Sequence, residues 1–477
     1  MKPLIHLNSP RLHYINTTLD NPCLTVIPEG VTVLIGANAS GKSTLTKIIE
    51  KGWNFTTNSI SSPKGKISIK RIEFSDIHTL TGFKAQYYQQ RYESSMNDDV
   101  PTVSEIIGAD NNSELWSRIC RRLGLGDILE RKANFLSSGE LRKVLIARVL
   151  SARMPELLIL DNPYIGLDCR SRNILNESLE QIADEGVSIL LAVSDPDEIP
   201  DFTDCMIPVT GMTVGRASER CGCSVASLRE KAASLFSFAI DGEMIPAPEA
   251  AHPRNSEPLV ELTGCTVAYG NTVILPNISW KILRGEHWAL SGPNGSGKST
   301  LLSLIHADNP KVYSNNVKVF GMRRGSGESI WDIKKRIGYI SPEMHLYFGG
   351  GADTVREIVA RGLNDTVGSF TRLTPAQLGK ADKWLRLLHM EDIAPRRFNT
   401  LSGGEQRLTL LARTFIKNPE LLILDEPMHG LDSCRKKAVK SIVNTLAVRD
   451  NTTMIYVTHC PDELPECVTH TLTLRQR

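Results

Sequence analysis

The sequence predicts an α/β protein that repeats one fold in two tandem halves. Each half contains an apolar run that leads into a loop of the pattern G-x-x-x-x-G-K-S, at residues 36–43 and 292–299. Each half also contains a later apolar run that ends in an acid, at Asp161 and at Asp425. The loop lysines are 256 positions apart and these acids are 264 positions apart, so the motifs keep their order and nearly their spacing. Two homologous halves that differ in the length of a middle segment are therefore predicted.

Composition is that of an ordinary globular protein. With 477 residues, of which 41% are hydrophobic and 23% charged, the chain is long enough for roughly two to four domains. A net charge of +2 does not mark the whole chain as a nucleic-acid binder. No apolar run approaches the roughly 18 residues that a membrane-spanning helix needs, so a membrane role would require a partner.

The ten cysteines are scattered and no signal peptide is recognisable, which predicts an intracellular protein and, within the cell, the cytoplasm. The first acid of the chain is Asp20, which follows Lys2 and Arg11, so a mitochondrial presequence and the mitochondrial matrix are the alternative. Residues 4–7 and 12–14 are predicted as early strands of the first half, and this favours the cytoplasm.

Both glycine-rich loops have the residue types that bind phosphate groups. Glycines let consecutive backbone N–H groups converge on phosphate oxygens, and the following helix points its positive end at them. Lys42 and Lys298 are expected to neutralise β- and γ-phosphate oxygens, while the hydroxyls of Ser43 and Ser299 are expected to hold Mg²⁺. The acids at the carboxyl ends of the two later strands complete this metal site.

A short polar turn precedes a predicted helix in each half, LSSGE at residues 136–140 and LSGGE at residues 401–405. A serine and glycines at a helix start offer a hydroxyl, free N–H groups and the positive helix end, all suited to a γ-phosphate. Because such a turn cannot complete a site alone, it predicts a facing half. The alternative is that each serine only caps its helix, paired with the glutamate three residues later in a capping box. Capping does not require the glycines, so phosphate contact is favoured.

Together these motifs resemble those of tandem ATP-binding cassette (ABC) proteins: GANASGKS and GPNGSGKS, then LSSGE and LSGGE, then LILDNP and LILDEP. The resemblance implies a RecA-like P-loop core, an antiparallel β subdomain and a helical subdomain in each half. Residues 1–240 and 258–477 are expected to form the two nucleotide-binding domains, joined by a proline-containing linker at residues 241–257. Residues 320–341 and 354–370 are further similar to the ModF-type group of fused cassettes, which is named for a link to molybdate transport.

In this family ATP lies, with Mg²⁺ as its cofactor, between the phosphate loop of one half and the LSGGE turn of the other. The resemblance therefore pairs the first-half loop with residues 402–404, and the second-half loop with residues 137–139. The residues assigned to ATP are Gly36, Ala37, Asn38, Ala39, Ser40, Gly41, Lys42, Ser43, Thr44, Gly292, Pro293, Asn294, Gly295, Ser296, Gly297, Lys298, Ser299, Thr300, Tyr269, Ser137, Gly139, Ser402, Gly403 and Gly404. The residues assigned to Mg²⁺ are Ser43, Asp161, Ser299 and Asp425.

The two halves differ at positions that the family uses for hydrolysis. In the second half, Glu426 follows the strand-end acid and is expected to orient the attacking water, while His459 is expected to donate to the γ-phosphate. The matching first-half residues are Asn162 and Asp195. An asparagine can hold a water but cannot accept its proton, and an aspartate places negative charge beside the phosphate. The first-half site is therefore predicted to be degenerate and the second-half site to hydrolyse ATP, the alternative being that another group serves as base.

Adenine needs a flat apolar or aromatic surface. By the resemblance, Tyr269 is the stacking aromatic residue of the second half and Tyr14 its counterpart in the first, the alternative being exposed tyrosines in edge turns. The glutamine that couples to membrane domains in transporters is replaced by Glu343 in the second half, and the first half offers Ser75 and Asp76. These replacements weaken the expectation of transport.

Three classes of function stay open. Fused halves, the absence of membrane spans and the missing glutamines favour an ATPase whose closure and opening act on a protein or ribonucleoprotein partner, with no homo-oligomer required. The second class is the energising subunit of a membrane transporter for molybdate or a similar anion. The third is an ATP-dependent nucleic-acid or ribosome-associated factor, which is disfavoured because no long coiled coil or zinc module separates the motifs and because the linker is short.

Overall fold

The computed structural model describes the chain except for several gaps. Described are residues 1–15, 17–51, 59–73, 101–108, 114–133, 136, 138–152, 154–164, 167, 169–220, 224–236, 244–248, 252–253, 257–269, 272–293, 296–342, 344, 348, 350–364 and 372–475. The chain divides into two compact units, Met1–Ser237 and Phe238–Arg477.

The first unit contains a long mixed sheet and a small antiparallel one. Its strands are β1 (Pro3–Leu7), β2 (Arg11–Tyr14), β3 (Thr17–Asp20), β4 (Val26–Pro28), β5 (Val31–Ile35), β6 (Ile60–Ser61), β7 (Ile69–Glu73), β8 (Leu157–Asp161), β9 (Ser188–Val193), β10 (Cys205–Thr210), β11 (Thr213–Val214) and β12 (Ser218–Glu219). Its helices are α1 (Lys42–Lys51), α2 (Val103–Ile107), α3 (Glu114–Arg122), α4 (Ser138–Ala152), α5 (Cys169–Asp184) and α6 (Val225–Ser234). The long sheet has the order β2-β3-β11-β10-β5-β9-β8-β7, with β12 beside β10, and the small one has the order β4-β1-β6.

The second unit has a parallel sheet and a separate antiparallel sheet. Its strands are β13 (Pro258–Tyr269), β14 (Thr272–Leu283), β15 (His287–Ser291), β16 (Asn316–Val319), β17 (Met322–Arg323), β18 (Ile337–Ile340), β19 (Leu421–Asp425), β20 (Thr453–Val457) and β21 (His470–Thr473). Its helices are α7 (Lys298–Ile305), α8 (Ile330–Arg336), α9 (Val355–Arg361), α10 (Pro375–Leu387), α11 (Gly403–Phe415) and α12 (Ser433–Asp450). The parallel sheet has the order β18-β19-β20-β15-β21, and the antiparallel sheet has the order β14-β13-β16-β17.

The parallel strands follow the same order in both units, since β7-β8-β9-β5-β10 corresponds to β18-β19-β20-β15-β21. Strands β8 and β19 have the same sequence, LLILD, and every residue of both is buried. A parallel sheet is covered on both faces, which is why such strands read as continuous apolar runs. The predicted α/β fold in two tandem halves is confirmed.

The two faces of each parallel sheet contribute to different hydrophobic clusters. In β8, Leu158 and Leu160 pack in one cluster, while Leu157 and Ile159 pack in another. Strand β19 divides its residues in the same alternating way. Alternation follows from the two-residue period of a strand, and it anchors the strand between two layers. The acid that ends each strand is therefore held at a fixed point of the sheet edge.

Part of the segment that was expected to be an extended linker lies against the second unit. Ile245 is 2% exposed and belongs to a hydrophobic cluster of that unit. Arg449 donates from Nη1 to the carbonyl oxygen of Ile245 (2.9 Å) and from Nη2 to that of Pro246 (3.0 Å). The backbone N–H of His252 donates to the carbonyl of Asp450 at 3.1 Å. These contacts hold Ile245, Pro246 and His252 on the end of α12.

Glu420, the residue before β19, joins three segments of the second unit. Its Oε2 accepts hydrogen bonds from Nη1 of Arg284 (2.6 Å) and from Nη2 of Arg336 (2.9 Å). Burial raises the pKa of the Glu420 carboxyl, but the hydrogen bonds and charges of the two arginines outweigh it and lower the pKa to about 2. Because Arg336 ends α8 just before β18, this cluster fixes the start of β18 relative to that of β19.

Replacing Glu420 with glutamine should lower the free energy of unfolding of the second unit at neutral pH by about 1 to 2 kcal/mol, once solvent screening at this partly exposed side chain is allowed for. A carboxyl whose pKa is lowered by folding stabilises the protein at pH values above its unfolded pKa. This stabilisation is lost as the pH falls, here from about 4.5 toward about 2. Urea unfolding of the full chain, followed by tryptophan fluorescence at pH 7 and pH 3, measures this. The Glu391→Gln variant is the control, because Glu391 is about half exposed and lies 4.0 Å from its arginine partner. Equal destabilisation by Glu420→Gln at both pH values would contradict the assignment.

Candidate functional site

In each unit a glycine-rich loop connects a buried parallel strand to a helix, β5 to α1 and β15 to α7. The ammonium of Lys42 donates to the carbonyl oxygens of Gly36 (2.7 Å) and Ala37 (2.9 Å). The ammonium of Lys298 makes the same two contacts in the second unit, with the carbonyls of Gly292 (2.7 Å) and Pro293 (2.9 Å). Each loop thus curls around a positive charge held at its centre.

The first glycine of each loop is required by close backbone approach. A Cβ atom on Gly36 would lie 2.0 Å from the carbonyl oxygen of Val209, and one on Gly292 would lie 2.6 Å from that of Leu474. The last glycine of each loop has a positive φ, +107° at Gly41 and +92° at Gly297. Asn294 and Gly295 lie outside the described residues.

Equivalent serines in the two loops carry hydroxyls with unsatisfied hydrogen-bonding capacity. Ser40 is 5% exposed and Ser296 is 8% exposed, and within the described part of the chain neither Oγ has a hydrogen-bond partner. Buried polar atoms in folded proteins are nearly always paired, so two equivalent exceptions indicate a loop that is completed by a ligand. The orphaned hydroxyls and the central ammonium fit a phosphate group.

In the first unit, Asp161 at the end of β8 accepts hydrogen bonds on both oxygens. Its Oδ1 accepts from Oγ of Ser43 (3.1 Å) and from Nδ2 of Asn162 (3.2 Å). Its Oδ2 accepts from Nη2 of Arg71 (3.0 Å) and from Oγ1 of Thr46 (3.3 Å). The predicted pairing of the loop serine with the strand-end acid is thus present in this unit, together with two donors that no motif had indicated.

In the second unit, the residue after the strand-end Asp425 contacts the predicted histidine. The Nε2 atom of His459 lies 2.9 Å from Oε1 of Glu426. Burial raises the pKa of the Glu426 carboxyl, but the hydrogen bond and charge of His459, with the charges of His429 and Arg407, outweigh it and lower the pKa. Glu426 is therefore ionised at neutral pH and able to accept a hydrogen bond from a water molecule.

Asn162 occupies the same backbone position as Glu426. Both residues have a positive φ, 52° and 46°, and the N–H of each donates to a carbonyl of the neighbouring strand, Ala192 in one unit and Val457 in the other, at 2.9 Å. The strand register does not place Asp195 at the position of His459, as the sequence spacing had predicted. Asp161 pairs with Ala192 as Asp425 pairs with Val457, so Ser194 takes the place of His459. Asp195 lies one residue further on, and its Oδ1 accepts from the N–H of Asp197 at 3.1 Å. The first unit thus has an amide, Asn162, and a buried serine hydroxyl, Ser194, where the second has a carboxylate–imidazole pair.

The LSGGE turn of the second unit starts α11. Oγ of Ser402 donates to Oε2 of Glu405 at 2.8 Å and accepts from the N–H of Glu405 at 3.4 Å, which is a complete capping box. Gly403 is exposed, and a Cβ atom there would meet nothing within 4 Å; Gly404 is buried. In the first unit, Ser137 lies outside the described residues, and α4 starts at Ser138.

Arg407, on the buried face of α11, connects three parts of the second-half site. No sequence motif had indicated this role. Its side chain is 0% exposed. The guanidinium donates to the carbonyl oxygens of Pro427 (3.1 Å), Ser341 (2.8 Å), Asp425 (3.1 Å) and Glu426 (2.6 Å). The signature helix, the acid-bearing strand end and the segment after β18 are thus held together by one cation. Its only signal in the sequence is a basic residue on the apolar face of an amphipathic helix.

Of five further predicted residues, the structure describes one in full and one in part. Tyr14 lies in β2, where its hydroxyl accepts from Nζ of Lys51 at 3.0 Å. Tyr269 ends β13, and its side chain lies outside what the structure describes. Glu343, Ser75 and Asp76 also lie outside the described residues.

The oxygen donors at the loops fit Mg²⁺ as a partner of bound phosphate. A hydroxyl and a carboxylate are hard ligands of the kind that Mg²⁺ takes, with its remaining positions left to phosphate oxygens and water. In the described ranges, no group of three or more His, Cys, Asp and Glu side chains is placed to hold a metal ion. A bound Mg²⁺ would therefore need phosphate oxygens or water as further ligands. Ser43 and Asp161 would contribute the protein oxygens in the first unit, and Ser299 and Asp425 those in the second.

Two P-loops, each beside a strand-end acid and followed by a signature-type helix, define a tandem P-loop nucleotide-binding protein. A protein-family model described as "ABC transporter" matches residues 19–165 and 275–429. The chain therefore belongs to the ABC transporter family. It is therefore a tandem ABC ATPase, as was predicted, and family membership supports hydrolysis of ATP with Mg²⁺ in general. No described helix has the length and apolar character needed to cross a membrane.

Two related proteins and one solved structure match nearly the whole length of this chain. The sequence is 34% identical over 469 residues to the ABC transporter ATP-binding protein ModF of Escherichia coli, covering 95% of this chain and 93% of that protein. It is 29% identical over 451 residues to an uncharacterized ABC transporter ATP-binding protein of Schizosaccharomyces pombe, covering 91% and 90%. The fold is similar, with a TM-score of 0.56 and 19% identity, to archaeal ribosome recycling factor aABCE1 in complex with ribosomal stalk protein aP1, covering 98% of this chain and 87% of that one.

Replacing Arg407 with glutamine should destabilise the second unit by about 3 kcal/mol, because the variant leaves several buried carbonyl groups without their donor. For a unit of this size, that loss lowers Tm by roughly 6 to 12 °C. Scanning calorimetry of the full chain measures it. The Arg386→Gln variant, at a side chain that is 64% exposed, should leave Tm nearly unchanged. Similar small shifts for both variants would show that Arg407 does not hold the site together.

Proposed function

We propose that this chain binds two ATP molecules and hydrolyses ATP mainly at the second-half site, built on Lys298, Asp425, Glu426 and His459. The observation that carries this proposal is the contact of 2.9 Å between Glu426 and His459, at positions where the first half has Asn162 and Ser194. The halves are taken as residues 1–240 and 258–477, joined by residues 241–257.

At the second-half site the chemistry requires a base beside the γ-phosphate and charge compensation for the transition state. Glu426, ionised and held at the sheet edge by its backbone bond to β20, would orient the attacking water and accept its proton. His459 would bridge Glu426 and a γ-phosphate oxygen, and Lys298 would neutralise the β- and γ-oxygens. Bound Mg²⁺ would supply further positive charge to the phosphates.

At the first-half site the same positions do not support fast hydrolysis. The amide of Asn162 donates to Asp161 and has no basic oxygen that could take a proton from water. Ser194, at the place of His459, offers a hydroxyl and no imidazole that could hold a base and carry positive charge toward the phosphate. Binding through Lys42 is retained, so this site would hold ATP and stabilise the closed form.

We further propose that each ATP is completed by the signature turn of the other half, residues 402–404 for the Lys42 loop and 137–139 for the Lys298 loop. Support comes from Gly403: it is exposed and a Cβ atom would meet nothing there, so packing inside its own unit does not explain the glycine. The capping box occupies the Ser402 hydroxyl but leaves N–H groups of the first helical turn for an anion.

Closing and opening of the halves would act on a partner, and we place a protein or ribonucleoprotein first. The second candidate is an energising subunit for a membrane transporter of molybdate or a similar anion, and the relative ModF, an ABC transporter ATP-binding protein at 34% identity, supports it. The likeness to a ribosome recycling factor concerns the fold alone and gives no support to a ribosomal role. We take the cytoplasm as the compartment, with the mitochondrial matrix as the alternative.

Glu426→Gln should reduce steady-state phosphate release by about 10²- to 10⁴-fold, because the amide cannot accept a proton from water. The matched variant at the equivalent position, Asn162→Gln, should keep most of the activity. Phosphate release at saturating ATP and Mg²⁺ measures both. If Glu426→Gln keeps most of the turnover, or if Asn162→Gln loses as much, the proposed division between the sites is wrong.

The Glu426→Gln variant should also accumulate with ATP bound, and this makes it a trap for the partner. Crosslinking in the presence of ATP, followed by membrane fractionation, is expected to recover a protein or ribonucleoprotein from the soluble fraction. The Lys298→Ala variant is the control, because it should not reach the ATP-bound form of that site. Recovery of an integral membrane protein by the trap alone would favour the transporter subunit.

A further inference from the structure

Two aromatic side chains in one segment of the second unit are exposed to solvent. Trp331, in α8, is 65% exposed, and Tyr313, in a 3₁₀ helix at Pro310–Ser314, is 54% exposed. Of the exposed large hydrophobic residues in the described ranges, these two alone are aromatic. Met322 and Ile330, which lie between them in the sequence, are also exposed. Apolar residues scattered singly over a surface need no explanation, whereas a group of them marks an interaction site.

Short contacts connect the segments that carry the two rings. The guanidinium of Arg324 lies 6.0 Å from the centre of the Tyr313 ring. The same guanidinium donates to Oε1 of Glu328 at 2.5 Å. Glu328 directly precedes Ser329, whose Oγ accepts from the N–H of Trp331 at 3.2 Å. The loop between β17 and α8 therefore ties the Tyr313 helix to the start of α8.

Positive charge surrounds the rings. Residues 310–336 contain seven basic and two acidic residues. Four of the basic side chains form ion pairs, and these are Arg324 with Glu328, Lys318 with Glu261, Lys334 with Asp308, and Arg336 with Glu420. The other three, Lys311, Arg323 and Lys335, are exposed, and no acid of the described ranges forms an ion pair with them. The exposed Asp332 offsets part of this charge and leaves the surface positive.

The fold presents these groups to solvent from a fixed support. Lys335 follows Trp331 by four positions on α8, so both side chains lie on one face of the helix. Ile333, on another face, is 0% exposed and anchors the helix in a hydrophobic cluster. Arg323 ends β17, which is the edge strand of the antiparallel sheet. Rings and cations are thus held outward by packed elements.

A flat ring beside an unpaired cation fits a single strand of nucleic acid. Unpaired bases stack on exposed aromatic rings, and lysine and arginine contact the phosphates between them. A duplex fits less well, because its bases are already stacked and paired. A lipid surface also fits less well, because an interfacial helix needs a long apolar face, whereas α8 has seven residues and buries Ile333. An acidic peptide would use the cations but would not require two flat rings.

We propose that Lys311, Tyr313, Arg323, Trp331 and Lys335 form a binding surface for single-stranded nucleic acid, in which bases stack on the two rings and the three cations contact phosphates. The source of the strand is the RNA of a ribonucleoprotein partner, and in this choice of RNA the inference rests on the proposed function. The surface itself is independent of the ATP sites.

The test measures binding of a fluorescein-labelled oligomer of about twenty uridines to the full chain by fluorescence anisotropy, without ATP. Trp331→Ala should weaken the affinity by about tenfold, because one stacked base is lost. Trp331→Phe should keep most of the affinity, because its ring still stacks. Trp331→Leu should lose as much as Trp331→Ala, because leucine is apolar but not flat. Circular dichroism checks that each variant is folded.

The cations are tested by salt dependence. Arg323→Gln and Lys335→Gln should each reduce the slope of log affinity against log salt concentration by about 0.7, the value for one phosphate contact on a single strand. The control is Arg386→Gln, on α10, where the side chain is 64% exposed, and it should change neither slope nor affinity. Unchanged slopes for Arg323→Gln and Lys335→Gln would overturn the role of the cations.

A further experiment uses the unmutated chain. With 4-thiouridine in the oligomer, ultraviolet crosslinking and mass spectrometry should place adducts at Tyr313 or Trp331. Adducts confined to other segments, or full affinity of Trp331→Leu, would overturn the proposal. Binding to phosphatidylserine vesicles or to a polyglutamate peptide that Trp331→Ala abolishes, without binding of the uridine oligomer, would also overturn it.

The outcomes separate this inference from the proposed function. Tighter binding of a thymidine oligomer than of the uridine oligomer would overturn RNA as the source of the strand. No binding of either oligomer would overturn the surface, whereas phosphate release by the unmutated chain and by Glu426→Gln would still decide the proposed hydrolysis of ATP. Loss of that hydrolysis assignment with the uridine oligomer still bound at Trp331 would leave the surface in place.

Discussion

A buried carboxylate at the end of a parallel strand must be compensated by hydrogen-bond donors or positive charge, and both sites are organised around this requirement. The burial of β8 and β19 on both faces brings Asp161 and Asp425 to the sheet edge with 2% and 5% exposure. The same edge receives the phosphate loop, because its preceding strand is parallel and two positions away in the sheet. The phosphate loop and the strand-end acid of each unit therefore meet where a desolvated carboxylate needs partners.

The two halves differ in how the negative charge of the acids at the strand ends is compensated. In the first, Asp161 receives four donors from its own unit, one of them a guanidinium. In the second, Arg407 directs its charge to the backbone carbonyls around Asp425 and leaves the carboxylate of Glu426 to His459. The Glu426 carboxylate thus contacts an imidazole, whereas the Asp161 carboxylate contacts a guanidinium.

The sequence predicted the features that local patterns encode. The repeated order of loops, turns and strand-end acids was enough to derive two homologous α/β halves, and the LLILD runs marked the buried strands. Local patterns could not identify Arg71 or Arg407, because their hydrogen-bond partners are distant in the sequence. Arg71 and Asp161 are 90 positions apart, and the partners of Arg407 are 18 to 66 positions away. The contacts of Ile245 with α12 were missed for a similar reason, since proline-rich composition says little about a single buried anchor.

The first half is better understood as a site with a different charge balance than as a damaged copy of the second. A damaged copy would have lost catalytic groups independently, leaving the buried acid short of donors. Instead Asn162, Thr46 and Arg71 all donate to Asp161, and Glu73 in turn holds Arg71. Removing any one of the three donors would leave the buried Asp161 carboxylate with one hydrogen bond fewer, at a penalty of about 1 to 3 kcal/mol. Such mutual dependence indicates that these residues form one connected network around Asp161, which independent loss of single groups would not produce.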